Sequence, residues 1–437
     1  MALAEQSNLN IKITTVPILS GAGTDPLAWI PSKLSDTPYW FWEIPEDKTS
    51  WVGIGEAYLG VFEGASRFKE TESFFAELVE LIDWDKPEDA PLPRFACGFS
   101  FDQNSYDEAW SFLSNGRLIL PEIQILKNDK GTWLMTVNSN SREEPNQSPP
   151  NPFEPLSLDP KDWSTNSERE HYKKLIDTAL KAISNGELEK AVPCRSIFIE
   201  QVPEIPGLLS TLRNSYPACA TFCIARGEKA FLGSTPEKLA SSKKGGLQTV
   251  ALAGSAPRSN NFSLDSALAQ GLLTSPKERR EHSLVVDEIL NRLTLIGLKP
   301  EKLKETGVLK ISGIQHLYTP IGAVLNKDVG LLNVVSSLHP TPAVSGHPLE
   351  RADQLRQQYE NFDRGWFAGP IGWLDISGDG EFRVALRSGL VDSTGSTLFA
   401  GAGVVEGSDP DRELLETDMK LKAMLNPIMT QQALKSV

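Results

Sequence analysis

The chain has 437 residues, 40% hydrophobic and 23% charged, an ordinary soluble composition long enough to bury a large core. Its net charge of -14 makes nucleic acid and anionic membrane poor partners, so an anionic ligand would need positive charge gathered locally. No run approaches the roughly 18 apolar residues that span a bilayer, and four cysteines without a CxxC pair, beside five histidines, argue against a zinc site.

The N-terminal MALAEQSNLNIKITT lacks a basic start followed by an apolar core, so no signal peptide is expected and the cytoplasm is the expected compartment. Strand-like runs follow in SWVGIGEAYLGVF and RFACGFSFD, with a helix-like ESFFAELVELI between them. Residues 138–163, NSNSREEPNQSPPNPFEPLSLDPKDW, are rich in Pro, Asn and Ser and carry no apolar period, which predicts a linker or long surface loop. The helix EREHYKKLIDTALKAISNG ends at a glycine cap. In GELEKAVPCRSIFIE a polar helical run gives way to β-branched and aromatic residues, with Lys190 at the join. Strands are predicted in CATFCIARGEKAFLGS and LQTVALAGSA, then a long helix in SPKERREHSLVVDEILNRLTLIGL. Strands return in RGWFAGPIGWLDI and EFRVALRSGLV before a closing helix, DRELLETDMKLKAML. Strands broken by helices, without strict βαβ alternation, indicate an α+β fold.

Two carboxylate pairs carry chemistry. Glu278 and Glu281 are three apart on one helix face; Glu413 and Glu416 repeat the spacing, with Lys420 four beyond. Each also has an ordinary explanation: Ser275-Pro-Lys-Glu278 is a capping box, and Glu416 with Lys420 is an i,i+4 surface pair. Glu281 is harder to explain, because it continues the core-facing stripe of Val285 and Ile289, and a buried carboxylate needs a partner. A hard cation between two helices would satisfy both pairs, and Mg²⁺ suits this: it takes oxygen ligands, keeps waters and is often completed by substrate. Other stretches suit anions: Gly254 and Ser255 at a strand end whose N–H groups can point outward, and Gly401 and Gly403 in a similar bend. In EFRVALRS, alternation puts Arg383, Ala385 and Arg387 on one strand face, and Arg387 could fork onto a carboxylate. Glu237, after Pro236, is predicted at a strand-to-helix step, where an acid commonly complements the helix dipole. His316 reads as a packed or hydrogen-bonded residue. Any one glycine could equally be a plain turn, and Lys190 a solvated edge charge.

The ordered motifs EKAVPCR, FLGSTPEKL, LAGSAPR, KERREHSLVVDEI, LHPTPAVSGHP, FDRGWFAGPIGW, FRVALRS and GAGVVEGSDPDRELLET resemble the chorismate-binding enzymes. That family includes the anthranilate synthase large subunit, aminodeoxychorismate synthase, isochorismate synthase and salicylate synthase. The resemblance covers roughly residues 165–430, and RFACGFSFD is similar to a strand of the family's variable N-terminal part. It implies one large α+β unit in which two sheets pack face to face with helices outside and the active site between them. Residues 1–150 would be the variable N-terminal part of that unit, 151–164 a Pro-rich loop and 165–437 the chorismate-binding catalytic region.

The resemblance implies chorismate, a dianion, as ligand, with Mg²⁺ on its ring carboxylate. Lys190 as base and Glu237 as acid resemble the water-using members. Ala253 stands where aminodeoxychorismate synthases carry a lysine nucleophile, and Ala343 where salicylate synthases usually carry Thr. HPTPAVSGHP is similar to isochorismate synthase rather than to the PAGTVSGAPK of the anthranilate branch. The implied reaction is Mg-dependent isomerisation of chorismate to isochorismate, by water addition at ring C2 and loss of the C4 hydroxyl. The product of such an enzyme would feed quinone, siderophore or salicylate synthesis.

By the same resemblance Glu281 and Glu416 would hold the ion, backed through water by Glu278 and Glu413. Gly254 and Ser255 would contact the ring carboxylate, and Arg387 with the Gly401 N–H the enolpyruvyl carboxylate. Lys420 would add positive charge, Phe367 would pack close by, and His316 and Ala343 count among the substrate-binding positions. Pro193 and Cys194 depart from the family's usual Val-Leu-Ala, and Pro193 removes a strand donor. A monomer without an obligatory glutaminase partner is expected. The rivals are an aminating enzyme with such a partner, a salicylate synthase, or a non-catalytic Mg-binding scaffold.

Overall fold

The computed structural model describes residues 10–105, 107–139 and 148–435. Residues 1–9 and 140–147, parts of the expected N-terminal segment and linker, lie outside the described residues. An 11-stranded and a 10-stranded sheet, both largely antiparallel, form the body of the molecule. The larger runs from an edge strand at Cys194–Ile199 through Ser396–Gly401, Ser388–Val391, Lys229–Thr235 and Ala220–Arg226 to Tyr39–Ile44 and beyond. Both sheets mix strands from before and after the Pro-rich segment.

The strand Tyr39–Ile44, YWFWEI, shows how the layers arise. Successive side chains point to opposite faces: Trp40, Trp42 and Ile44 enter the core between the sheets with Phe95, Phe99 and Phe382 of the second sheet. Tyr39 and Phe41 pack outward against Leu208 and Leu212 of the helix Ile205–Ser215 and Leu421, Met424 and Leu425 of the helix Pro410–Lys435. Both faces are covered, so the strand reads as a continuous apolar run rather than an alternating one. The helix Pro276–Leu295 packs on the strand Gly246–Pro257 of the second sheet. Among the described residues no helix is long and apolar enough to cross a membrane.

Residues 148–159 carry no helix or strand but are tied down. Ser210 Oγ donates to the Pro150 carbonyl at 2.6 Å, and the amides of Phe153 and Leu156 donate to Thr211 Oγ1 (3.3 Å) and Thr430 Oγ1 (2.8 Å). The Pro-rich segment is thus a strap across two helices.

After the Pro-rich segment the chain steps twice between the two large sheets. Lys229–Thr235 belongs to the larger sheet and Lys238–Lys243 to the smaller, so Pro236 and Glu237 span the gap. Gly380–Val384 and Ser388–Val391 make the return step through residues 385–387, with Arg387 at φ 50°. Two expectations are corrected here. Glu237 does not open a helix, because the Val384 amide donates to its carbonyl at 3.0 Å and Lys238 pairs at once with Arg383. Arg383 and Arg387 do not share a strand face, because the strand ends between them; Arg383 turns instead to Glu381 and to the Pro236 carbonyl at 3.1 Å. The strand expected after Lys190 is also split. Lys190–Ala191 pairs with Gly346–His347 in a separate two-stranded sheet, and Pro193 falls in the break before Cys194–Ile199.

The helix Pro410–Lys435 is anchored by Asp418, which accepts from Arg169 of the helix Asn166–Ser184 at 2.9 Å and from Arg195 of the edge strand. Arg195 Nε also donates to Thr417 Oγ1 at 2.8 Å. Removing one partner of a buried ion pair typically costs about 3–5 kcal/mol. We expect Asp418→Ala to lose about that much unfolding free energy in a urea titration; a loss below about 1 kcal/mol would show that the helix is held elsewhere.

Candidate active site

A cavity with about 680 Å³ of empty space, partly open to solvent, lies where the chain steps between the sheets. Glu237, Gly254, Ser255, Glu281, His316, Ala343, Phe367, Arg387, Gly401, Glu416 and Lys420 all line it. Lys190, Glu278 and Glu413 do not line it. Lys190 lies against Glu281, and Glu278 against Ser255. Leu252, Leu386, Phe399 and Cys194 are also in the wall. Three are ordinary strand residues and Leu386 lies in the step between strands, so they carry no signal until the sheets are stacked; Cys194 alone of the four stands out in the sequence, as a departure from the family pattern.

Each glutamate of the two helix pairs has a lysine. Lys190 is 0% exposed, so it is no solvated edge charge. Its Nζ lies 2.9 Å from Glu281 Oε1 but out of line for a hydrogen bond, leaving the buried ammonium with a charge partner and unsatisfied donors. Lys420 Nζ contacts Glu416 Oε1 at 2.7 Å and donates to the Gly401 carbonyl at 2.7 Å. Lys277 joins the two helices, 2.7 Å from Glu413 and 3.6 Å from Glu278. Sequence reasoning passed over Lys277, because nothing local shows that it reaches a second helix. Glu278 serves two purposes. Its amide is capped by Ser275 Oγ at 3.3 Å, and its carboxylate accepts from the Ser255 amide at 3.1 Å. That amide, expected to face an anion, is therefore taken by Glu278.

Glycines make the clearance. A Cβ at Gly403 would fall 2.0 Å from Glu281 Oε1 and 3.2 Å from Lys190 Cε. At Gly346, with φ 129°, a Cβ would meet the Lys190 carbonyl at 2.4 Å. Gly254, φ 79°, sits where the strand register shifts between Ala253 and Ser255.

The surroundings set the charges. Burial pushes the Glu237 carboxyl up to about 7, against the opposing pull of Lys190, Lys420 and Arg387. Burial and the neighbouring Glu281 raise Glu278 to about 7 as well, while Lys277 and the Ser255 amide work the other way. For Glu416 burial also acts upward, but the adjacent Lys420 outweighs it and holds the carboxyl below its usual range. Burial, then Arg387, lowers His316 to about 3, so its ring is neutral. Arg387 Nη2 donates to His316 Nε2 at 3.1 Å, which assigns the ring proton to Nδ1, facing Ser255 Oγ (3.0 Å) and the Gly254 carbonyl (3.2 Å). His316 thus links the two stretches expected to hold an anion. Phe367 stacks on Phe399 with centroids 5.1 Å apart and gives the cavity an apolar wall.

The family model described as "Chorismate binding enzyme" matches residues 4–429. The chain belongs to the chorismate-binding enzymes. It is 31% identical to isochorismate synthase MenF of Bacillus subtilis, over 89% of this chain and 87% of the relative. To the salicylate biosynthesis isochorismate synthase of Pseudomonas aeruginosa it is 32% identical, covering 89% and 84%. Among solved structures, the menaquinone-specific isochorismate synthase MenF of Escherichia coli superposes with a TM-score of 0.78 at 26% identity, over 98% of this chain and 97% of that one. Anthranilate synthase component I of Streptococcus pneumoniae shares the fold, with a TM-score of 0.69 at 20% identity over 86% and 92%. Chorismate, the ligand of this family, carries two carboxylates, and Arg387 and Lys420 line the cavity.

A carboxyl with a pKa near 7 is still protonated where other glutamates are ionised. Infrared difference spectra, parent minus Glu237→Gln, should show a protonated-carboxyl band that disappears as pH rises through about 7. A band already lost by about pH 5, the ordinary end of glutamate titration, would show that Glu237 is better solvated than its burial implies.

Proposed function

We propose that the chain is an isochorismate synthase, adding water at ring C2 of chorismate and expelling the C4 hydroxyl. The carrying observation is that a fully buried lysine, Lys190, stands beside a cavity lined by Glu237, a buried glutamate without a contacting lysine whose carboxyl burial pushes up to about 7. Water is a poor nucleophile and needs a base. As the base, Lys190 would take the proton from the incoming water, and Glu237 would give its proton to the departing hydroxyl. The proton gained by Lys190 and the one lost by Glu237 balance, and exchange with solvent resets both. The relatives that match most of this chain are isochorismate synthases, which supports the same reaction.

Arg387 would fork onto the enolpyruvyl carboxylate beside the Gly401 N–H, with neutral His316 fixing the guanidinium. Gly254 and Ser255 would border the ring carboxylate, and Lys420 would add charge. Ala253 leaves no lysine where an aminating member would have its nucleophile. The reading needs no glutaminase and describes a cytoplasmic monomer; four free, buried cysteines suit a reducing compartment.

Mg²⁺ fits the carboxylates. Glu281 and Glu416 line one cavity, and their charges, with burial, hold Glu278 up to about 7, a crowding of like charge that a divalent cation would relieve. Among the described residues no three His, Cys, Asp or Glu side chains could hold an ion by themselves, so substrate and water would complete the shell. Glu281 and Glu416 would be the direct ligands, with Glu278 and Glu413 behind them. When bound, the ion would supply positive charge to the ring carboxylate and draw electron density from the ring.

The purified chain, given chorismate and Mg²⁺ and no partner protein, is expected to release isochorismate. EDTA should abolish the reaction and Mg²⁺ restore it; full rate after exhaustive chelation would exclude the ion. Arg387→Ala should remove about 1.5–3 kcal/mol of charge-assisted binding, a fall in kcat/KM of roughly 10- to 150-fold. Lys190→Ala and Glu237→Gln should each lose roughly 10²–10⁴ in rate. With ammonium salt Lys190→Ala should gain slow amination at C2, since ammonia needs no base, whereas Glu237→Gln should stay inactive. Isochorismate formation at the parent rate by Lys190→Ala would remove it as the base.

A further inference from the structure

The segment that carries Lys190 is interrupted three residues on. Pro193 has no N–H, and the chain changes partners around it, from Gly346–His347 before to Ser396–Gly401 after. A break so near a reacting group would leave it loose unless something else holds the backbone. The Val192 amide keeps the Ser345 carbonyl at 3.2 Å and the Pro193 carbonyl takes the Ala402 amide at 3.2 Å; one buried ion pair holds the backbone groups left over. Arg364 Nη2 donates to the Val192 carbonyl at 2.9 Å, and its Nη1 to the Val344 carbonyl at 2.7 Å. Its Nε donates to Glu360 Oε2 at 2.9 Å, and Glu360 Oε1 accepts the Cys194 amide at 2.9 Å. The pair therefore grips the chain on both sides of Pro193 and ties it to the loop that supplies Ala343.

Arg364 is 0% exposed and lies 4.5 Å over the Phe101 ring. Val192, Cys194 and Val344 line the cavity, whereas Arg364 and Glu360 do not. A pair this deep is costly to desolvate, and apolar residues of similar volume often serve stability as well or better. What they could not supply is the set of bonds to three backbone groups around Lys190. We propose that Arg364 and Glu360 are positioning residues that replace the ladder missing at Pro193 and hold Lys190 at its working distance. The proposal rests on Lys190 being the base.

The test replaces both partners at once, Arg364→Met with Glu360→Met, and follows amide exchange as well as kinetics. The double variant is expected to fold with a Tm close to the parent's. Exchange at the Val192 and Cys194 amides should rise at least tenfold, and kcat should fall on the order of 10²-fold, the usual result of about an ångström of misplacement. KM for chorismate should stay within about threefold, because Arg387 is held by His316 and not by the clamp. Arg364→Lys keeps the charge but not the fork, and should lose part of kcat and part of the protection. Parental exchange with parental kcat in the double variant would overturn the proposal. Should that variant not fold, the same result in Arg364→Lys would do so. Lys190→Ala, run alongside, should lose kcat yet keep the exchange protection. A parental rate there would overturn the base, and with it the catalytic purpose of the clamp, whatever the exchange shows.

Discussion

Charge has to balance inside this cavity before anything can bind there. Two helices bring four glutamates to its edge, of which Glu281 and Glu416 line it, and an unpaired buried charge is among the costliest things a fold can hold. The chain meets the cost with lysines from three directions: Lys190 from the interrupted edge segment, Lys420 from the same helix as Glu416, and Lys277 from the facing helix. Much of the local backbone follows from this. Gly403 is needed because the Lys190–Glu281 contact leaves no room for a Cβ there, and Gly346 because a Cβ would meet the Lys190 backbone carbonyl. Asp418 matters because the helix that carries Glu413 and Glu416 must not shift along the edge strand.

The same cavity drives two glutamates apart. Glu237 stands where the chain steps between sheets, buried and without a contacting lysine, and keeps its proton to about 7. Glu416 has Lys420 at 2.7 Å and stays ionised. Glutamates separated in this way can take different tasks, one giving a proton and the other holding charge. Arg387 occupies the return step in a left-handed conformation, uncommon for a residue with a side chain, and backbone of this kind recurs at functional sites. Both steps bring polar groups to the seam between two otherwise apolar sheet faces.

Much of this was legible in the chain itself. The helices around Glu281 and Glu416 follow from their period, and the burial of Glu281 from its place on the stripe of Val285 and Ile289. Pattern alone left Lys190 open between edge charge and base. The motif order singled it out, and its complete burial excludes the first choice. The errors fall at the split after Lys190 and at two of the sheet-to-sheet steps. Pro236 suits a helix start as well as a crossing, and the alternation of EFRVALRS hides the point where the strand ends. Neither is decided by local period; both depend on which sheet receives the next strand. Arg364, Glu360 and Lys277 were invisible for a related reason, since each acts on residues distant in sequence.

The central claim is that this cavity delivers a water oxygen to ring C2 with Lys190 as its base. The most direct measurement runs the reaction in oxygen-18 water and locates the label by mass spectrometry of the isochorismate formed. One labelled oxygen at C2, with its rate of incorporation collapsing in Lys190→Ala, is the result the account predicts. Isochorismate whose C2 hydroxyl carries no label, or labelled product formed equally fast without Lys190, would contradict it.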